Sequence, residues 1–136
     1  MRITIAKFLP GIAWFFVVLV LLCLPGKDFP SENWMSKIYF DKWVHTGIFG
    51  LLALLFMLPI AFSPMDSKQK LQYFIRIAIA TSVWGLTTEF IQKYFVISRS
   101  FDLLDWAADS LGALLAFITC KKQWLNKVLG EAIRMR

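Results

Sequence analysis

The chain has 136 residues, of which 58% are hydrophobic and only 18% are charged, and its formal net charge is +6. Soluble domains usually have about 25% charged and about 45–50% apolar residues. The composition therefore argues against a soluble enzyme, a disordered chain and a disulfide-stapled secreted domain. Because one bilayer-spanning helix takes about 20 apolar residues, the chain has room for four such helices.

Four apolar segments predict an all-α polytopic membrane protein, with four transmembrane helices in a bundle and a single domain over residues 1–136. The predicted spans cover about residues 8–24, 43–62, 74–97 and 103–120. The basic flank of the first span resembles that of a signal peptide. No small-x-small cleavage site follows it, however, and we therefore expect the span to be retained.

Positively charged residues are distributed unevenly between alternate loops. The N-terminus, the connection at 63–76 and the tail after Cys120 hold ten Lys and Arg residues, whereas the two opposite loops hold five. The positive-inside rule then predicts that both termini face the cytoplasm of a bacterial inner membrane. The charges are split among short loops, so membrane lipids are expected partners and nucleic acid is not.

The predicted outer loop at 27–42 is rich in aromatic residues, among them Trp34, Tyr39 and Phe40, and Ser31 could cap a short helix within it. Such residues commonly lie in the interfacial belt of a membrane protein. They favour an anchor that rests on the membrane, and a lid over a site beneath it is the alternative.

Polar residues collect at the predicted outer ends of spans two, three and four. They are Asp41, Lys42, His45, Glu89, Gln92, Lys93, Arg99, Asp102, Asp105 and Asp109. Three sets have helical spacing and each therefore shares one face: Asp41 with His45 at four residues, Glu89 with Gln92 and Lys93 at three and four, and Asp102 with Asp105 and Asp109 at three and seven. The acidic stripe of the fourth span continues through Gly112 and Ala116, small residues that let helices approach closely, and Gly47 and Gly50 are expected to act alike in the second span.

Four interpretations of this polar group remain open. The four are a network that fixes helix packing, a ligand or catalytic pocket open to the outside, a metal site, and a proton or ion pathway. We favour the pocket, because ionisable residues inside a membrane are costly and usually functional. A metal could bind His45, Glu89, Asp105 and Asp109, but no paired ligand signature is present, so we predict no metal or cofactor. A pathway is disfavoured because the polar residues stop at mid-membrane.

The chemistry of the residue types suggests a role for each member of the pocket, although whether it catalyses any turnover stays open. His45 and Glu89 are the candidate catalytic, proton-handling pair. Lys42 and Arg99 are candidates for binding anionic groups of a ligand. The other candidate ligand-binding residues, which would orient the ligand, are Gln92, Asp102, Asp105 and Asp109.

The same residues resemble the motifs of the VanZ-like family of small membrane proteins, which is associated with teicoplanin resistance. Asp41 to His45 matches D-K-x-x-H, Glu89 to Gln92 matches E-x-x-Q, and Arg99 to Asp105 matches R-x-x-D-x-x-D. The similarity continues to Ala116, over half the chain. One departure is Asp109, where many family members have Asn.

The resemblance implies a cell-envelope protein that acts at the outer membrane face, where it would lower glycopeptide susceptibility. Teicoplanin binds lipid-linked cell-wall precursors there, so such a precursor becomes an expected ligand by association. The resemblance implies no particular reaction. A non-catalytic structural or accessory protein, whose polar residues only fix helix packing, is the alternative.

The charge distribution predicts the topology directly. Reporter fusions at Ser67 and Arg136 should give a cytoplasmic signal, and a fusion at Ser31 should give an external one, because cytoplasmic loops carry the excess of Lys and Arg. An external signal from the C-terminal fusion would overturn this topology and the outward orientation of the pocket.

Overall fold

A computed structural model of the chain describes residues 3–25 and 39–134, and no strand occurs in these ranges. A short 3-10 turn, Ile5–Phe8, leads into four α-helices, namely α1 (Leu9–Cys23), α2 (Phe40–Ala61), α3 (Ser67–Phe95) and α4 (Leu103–Arg134). Four helical segments are long and apolar enough to cross a membrane, namely Ile5–Cys23 (the 3-10 turn with α1), Phe40–Ala61, Ser67–Phe95 and Leu103–Trp124, which confirms the predicted all-α membrane bundle. The aromatic anchor or lid and the cap at Ser31 fall mainly on residues 26–38, outside the described residues.

The helix boundaries follow from local chemistry. Pro10 lies in the first turn of α1, where its missing N–H removes no helical hydrogen bond. The Asp66 carboxylate caps α3 by accepting a 2.9 Å hydrogen bond from the backbone N–H of Gln69. Pro59 lies inside α2, which ends two residues later at Ala61.

Two helices extend beyond their predicted spans. The third span was predicted from residue 74, but α3 begins at Ser67 because the Asp66 cap starts the helix in the polar segment before the apolar run. Likewise, α4 continues through Arg134, whereas its span was predicted to end near residue 120. Its last turns are rich in Lys, Leu, Glu and Ala, which favour helix whether or not lipid surrounds them.

The closest approach of α2 and α4 occurs at two glycines. These helices have the most extensive contact in the bundle. A Cβ on Gly112 would overlap the Thr46 carbonyl oxygen, and a Cβ on Gly50 would lie 3.2 Å from the Gly112 oxygen. Small residues let two backbones pack tightly where lipid supplies no hydrophobic driving force. The expectation that Gly47 does the same is wrong, because a Cβ there would meet no atom within 4 Å.

Apolar side chains both fill the bundle and cover its outside. Phe49, Met57 and Phe74 are almost completely buried between the helices, whereas Val20 and Ile79 are 63% and 59% exposed. A bundle that is apolar inside and outside suits lipid, where packing and hydrogen bonds hold helices together. One such bond joins the indole N–H of Trp14 in α1 to the Ile48 carbonyl oxygen in α2 at 3.0 Å.

Consecutive helices run in opposite directions, so the starts of α2 and α4 meet the ends of α1 and α3 at one end of the bundle. Contacts between these termini place them together. Lys42 of α2 binds Asp102, which directly precedes α4, and Gln92 of α3 binds the Leu22 carbonyl oxygen of α1. We call this end, which holds His45, Glu89 and Asp109, the polar end.

The glycine contact predicts a difference between two alanine substitutions. Gly112→Ala should lower the melting temperature in detergent, because its Cβ would overlap the Thr46 carbonyl and such overpacking costs about 1–3 kcal/mol. Gly47→Ala is the matched control, and it should be neutral or stabilising because Ala favours helix over Gly by about 1 kcal/mol. Equal melting temperatures for the two variants would contradict the close contact.

Candidate functional site

Three ionisable side chains lie at the same depth in three different helices. His45 is five residues after the start of α2, Glu89 is six residues before the end of α3, and Asp109 is six residues after the start of α4. With a rise of 1.5 Å per residue, each lies about 7–9 Å from the polar end of its helix. All three are buried, and the exposures of Glu89 and Asp109 are 0%.

Lys42 stands nearer the end of the bundle and binds three carboxylates. Its Nζ lies 2.8 Å from Asp41 Oδ2, 2.5 Å from Asp102 Oδ2 and 2.5 Å from Asp105 Oδ1. An ammonium group has three N–H donors, so these contacts use all of them. The sequence predicted that Lys42 binds an anionic ligand, but an anion would have to displace a carboxylate to reach it.

Asp102 connects α2, α3 and α4. Its Oδ1 accepts from the backbone N–H of Leu104 at 2.8 Å and so caps α4. Its own backbone N–H donates to Glu89 Oε2 at 2.8 Å. The hydrogen bond from Lys42 lowers the pKa of the Asp102 carboxyl, which therefore stays ionised.

The His45 ring lies between two carboxylates that are one turn apart on α4. Its Nδ1 is 2.8 Å from Asp109 Oδ1, and its Nε2 is 3.8 Å from Asp105 Oδ2. Phe49, one turn further along α2, lies parallel to the imidazole with ring centroids 6.3 Å apart. The ring is therefore held in one orientation by charge on two sides and by an aromatic neighbour.

Two carboxylate oxygens in this region have no hydrogen-bond partner among the described residues. They are Glu89 Oε1 and Asp109 Oδ2, and both are buried. Gly85 makes room for the second, since a Cβ at that position would lie 2.7 Å from Asp109 Oδ2. Unpaired polar atoms are rare in protein interiors and costly when charged, so these two call for a proton, a cation or a ligand.

Two of the remaining polar residues contact the end of α1. Gln92 is 1% exposed, and its Nε2 donates to the Leu22 carbonyl oxygen at 3.1 Å. The Arg99 Nε donates to the Leu24 carbonyl oxygen at 3.5 Å. The exposed Lys93 lies over the Tyr94 ring, 5.3 Å from its centroid.

The structure therefore brings together most of the predicted pocket. One side-chain nitrogen or oxygen from each of His45, Glu89 and Asp109 lies within 4.8 Å of the other two. Asp105 contacts both His45 and Lys42. This confirms that the polar stripes of α2, α3 and α4 converge. Their chemical roles stay predictions.

Sequence reasoning missed two residues of this region. Gly85 lies against Asp109. The sequence did indicate it, because a glycine inside an apolar helix, four residues before Glu89, lies on the same helix face as that acid. The hydroxyl of Thr46, next to His45, donates to the Ala108 carbonyl oxygen at 3.2 Å and joins α2 to α4. A lone threonine in a span gives no comparable signal.

Comparisons with known proteins give no significant match, whether with family models, with curated proteins or with solved structures. The VanZ-like resemblance therefore rests on the order and spacing of its motifs alone.

The charge balance of the polar end decides what it can attract. Among the described residues, five carboxylates lie there with three Lys and Arg side chains (Lys42, Lys93 and Arg99) and one histidine, so negative charge is in excess. Such a site favours protons, metal cations and ammonium groups over free anions.

The Lys42 contacts predict that the stability of the bundle depends strongly on this one ammonium group. Lys42→Met should lower the free energy of unfolding by about 2 kcal/mol or more, because it leaves the buried Asp105 without its ammonium partner. The fall should be smaller in the double variant Lys42→Met/Asp105→Asn, which removes that charge. Lys93→Met is the control, since Lys93 is exposed. Thermal unfolding in detergent measures all three, and equal losses for Lys42→Met and Lys93→Met would contradict the assignment.

Proposed function

We propose that the chain is an envelope protein of VanZ-like type, placed in the bacterial inner membrane with both termini in the cytoplasm. Its polar end then faces the outside and binds or modifies a lipid-linked or glycopeptide-related ligand, and teicoplanin susceptibility falls as a result. Three observations support this proposal. They are the order of the family-like motifs, the excess of Lys and Arg in the other loops, and the collection of ionisable side chains at one end of the bundle.

The unpaired oxygens of Glu89 and Asp109 carry the argument for a functional pocket. A network that serves only to join helices gains most when every buried polar group is paired. Two fully buried acids with unused acceptors beside a histidine instead resemble a site that completes its contacts with something bound. The lipid-linked headgroup is the bound group that the family resemblance suggests.

In this proposal the contacts of each residue determine its role. Asp109 orients the His45 ring through the 2.8 Å contact to Nδ1, and Glu89 exchanges protons with His45 or with the ligand. Asp102 and Asp105 hold Lys42 at the mouth of the pocket, nearer the end of the bundle. Arg99 lies beside the end of α1 and binds an anionic group of the ligand, which approaches from outside.

One observation favours a purely structural alternative. The contacts of Lys42, Asp102 and Gln92 link all four helices at the polar end. A cluster of this kind can fix helix register without any ligand. The chain would then be an accessory protein, and its polar residues would matter only for stability.

Glu89→Gln and Asp105→Asn separate the two proposals, because they keep side-chain size but remove charge. A functional pocket should lose its effect on teicoplanin susceptibility in both variants while the fold stays intact. A structural network should keep its effect on susceptibility in both variants. Glu89→Gln can even gain stability, because it removes a buried charge, whereas Asp105→Asn removes an ion-pair partner of Lys42 and should not. The measurements are susceptibility of cells that express the chain and thermal stability of the purified protein in detergent.

Asp41→Asn is the matched control for this test. Asp41 also contacts Lys42, but its side chain is 59% exposed, and its neutralisation should leave susceptibility unchanged. Unchanged susceptibility in both Glu89→Gln and Asp105→Asn, at normal expression, would refute the functional pocket.

Arg99→Lys gives an independent prediction on the anionic part of the ligand. Bidentate recognition of a phosphate or carboxylate needs the planar guanidinium, so the lysine variant should weaken the susceptibility effect although its charge is unchanged. Retention of the full effect would show that Arg99 acts only as an interfacial charge.

A further inference from the structure

We propose that His45, Glu89 and Asp109 bind one divalent transition-metal ion of the Zn²⁺ or Mn²⁺ type within the bundle. Each of the three helices supplies one ligand, and the three ligand atoms lie within 4.8 Å of one another. Bonds of about 2.0–2.2 Å around a zinc ion separate neighbouring ligands by about 3.4 Å. Small side-chain movements therefore bring the three groups into coordinating distance.

The unpaired oxygens are the second, independent observation. Glu89 Oε1 and Asp109 Oδ2 are available as ligand atoms because no described residue donates a hydrogen bond to either. Their other oxygens are already used, by the Asp102 backbone N–H and by His45. Glu89 is thus held by one oxygen and offers the second, which is the usual arrangement of a metal ligand with a supporting hydrogen bond. Asp109 offers Oδ2, and its Oδ1 loses the contact with His45 Nδ1 when that nitrogen binds the metal.

The charges of the site also match a divalent cation. Two carboxylates and a neutral imidazole balance a charge of +2, and no net charge then remains buried. The other group of acids, Asp41, Asp102 and Asp105, already surrounds the Lys42 ammonium. That ammonium repels a second cation, so the inner site is the one that takes the metal.

The ligand types select the class of metal. Imidazole suits zinc and other transition metals, whereas Mg²⁺ and Ca²⁺ prefer sites made of oxygen alone. His45 presents its two ring nitrogens to different acids, with Nδ1 toward Asp109 and Nε2 toward Asp105. A metal bound to Nδ1, on the Asp109 side, leaves the proton on Nε2, which faces the Asp105 carboxylate at 3.8 Å.

This site lies in the pocket of the proposed function and uses the same residues, but it does not depend on the identity of the lipid-linked ligand. Its test is therefore metal binding rather than susceptibility. Tag-free protein in mild detergent is stripped with a chelator and titrated with Zn²⁺, Mn²⁺ or Mg²⁺. We expect one Zn²⁺ or Mn²⁺ per chain by elemental analysis, with a rise in melting temperature, and no comparable effect of Mg²⁺ at the same concentration.

His45 is the only histidine, which makes the assignment direct. The imidazole resonances of histidine-labelled protein should shift on addition of stoichiometric Zn²⁺. Glu89→Gln and Asp109→Asn should weaken binding by about tenfold or more, since loss of even a supporting residue costs about 10–100-fold in metal affinity. Both variants should keep the metal-free melting temperature, and Asp41→Asn should keep the wild-type affinity.

Three results would overturn the site. The first is a wild-type protein that binds neither Zn²⁺ nor Mn²⁺ stoichiometrically. The second is unchanged affinity in both Glu89→Gln and Asp109→Asn. The third is equal loss in Asp41→Asn, which would place the ion among the acids around Lys42. Any of these can occur whether or not the polar end binds a lipid-linked ligand, so the two proposals fail separately.

Discussion

Compensation of negative charge at the polar end is the constraint on which the rest of the bundle depends. Five carboxylates gather there, and among the described residues Lys42 contacts three of them and His45 contacts Asp109. In a membrane the buried ones cannot turn toward lipid, because a charged side chain facing lipid costs about 2.5–3.5 kcal/mol at the bilayer centre. The helices must therefore present these faces to one another, and this requirement orients α2, α3 and α4 about their own axes.

The outer and inner parts of the polar end meet this constraint differently. Around Lys42 the acids are paired, and Asp102 also caps α4 and donates its backbone N–H to Glu89. Deeper in the bundle, His45 is the nearest partner of Asp109, and oxygens of Glu89 and Asp109 are left unused. The outer part thus has the satisfied contacts of a structural network. The inner part has the incomplete contacts of a site.

The spans and the convergence of the polar helices could be predicted from the sequence because both depend on regular spacing. Apolar length defines a span, and a spacing of three or four residues places His45, Glu89 and Asp105 on inward faces. The partners of individual side chains could not be predicted in this way. Lys42 binds carboxylates instead of standing free, and Gln92 binds α1, because both outcomes depend on how far apart the helix axes lie.

Those axis distances are set by glycines, and this links the fold to the site. Gly50 and Gly112 bring α2 against α4 one turn beyond His45 and Asp109, so their contact keeps the imidazole within 2.8 Å of the carboxylate. Gly85 likewise lets α3 approach α4, since any side chain at that position would overlap Asp109 Oδ2. The triangle of His45, Glu89 and Asp109 therefore depends on three positions that carry no functional group. A larger residue at any of them would move these three side chains apart, although all three would still be present in the sequence. It follows that side-chain chemistry and glycine spacing together, and neither alone, define the site.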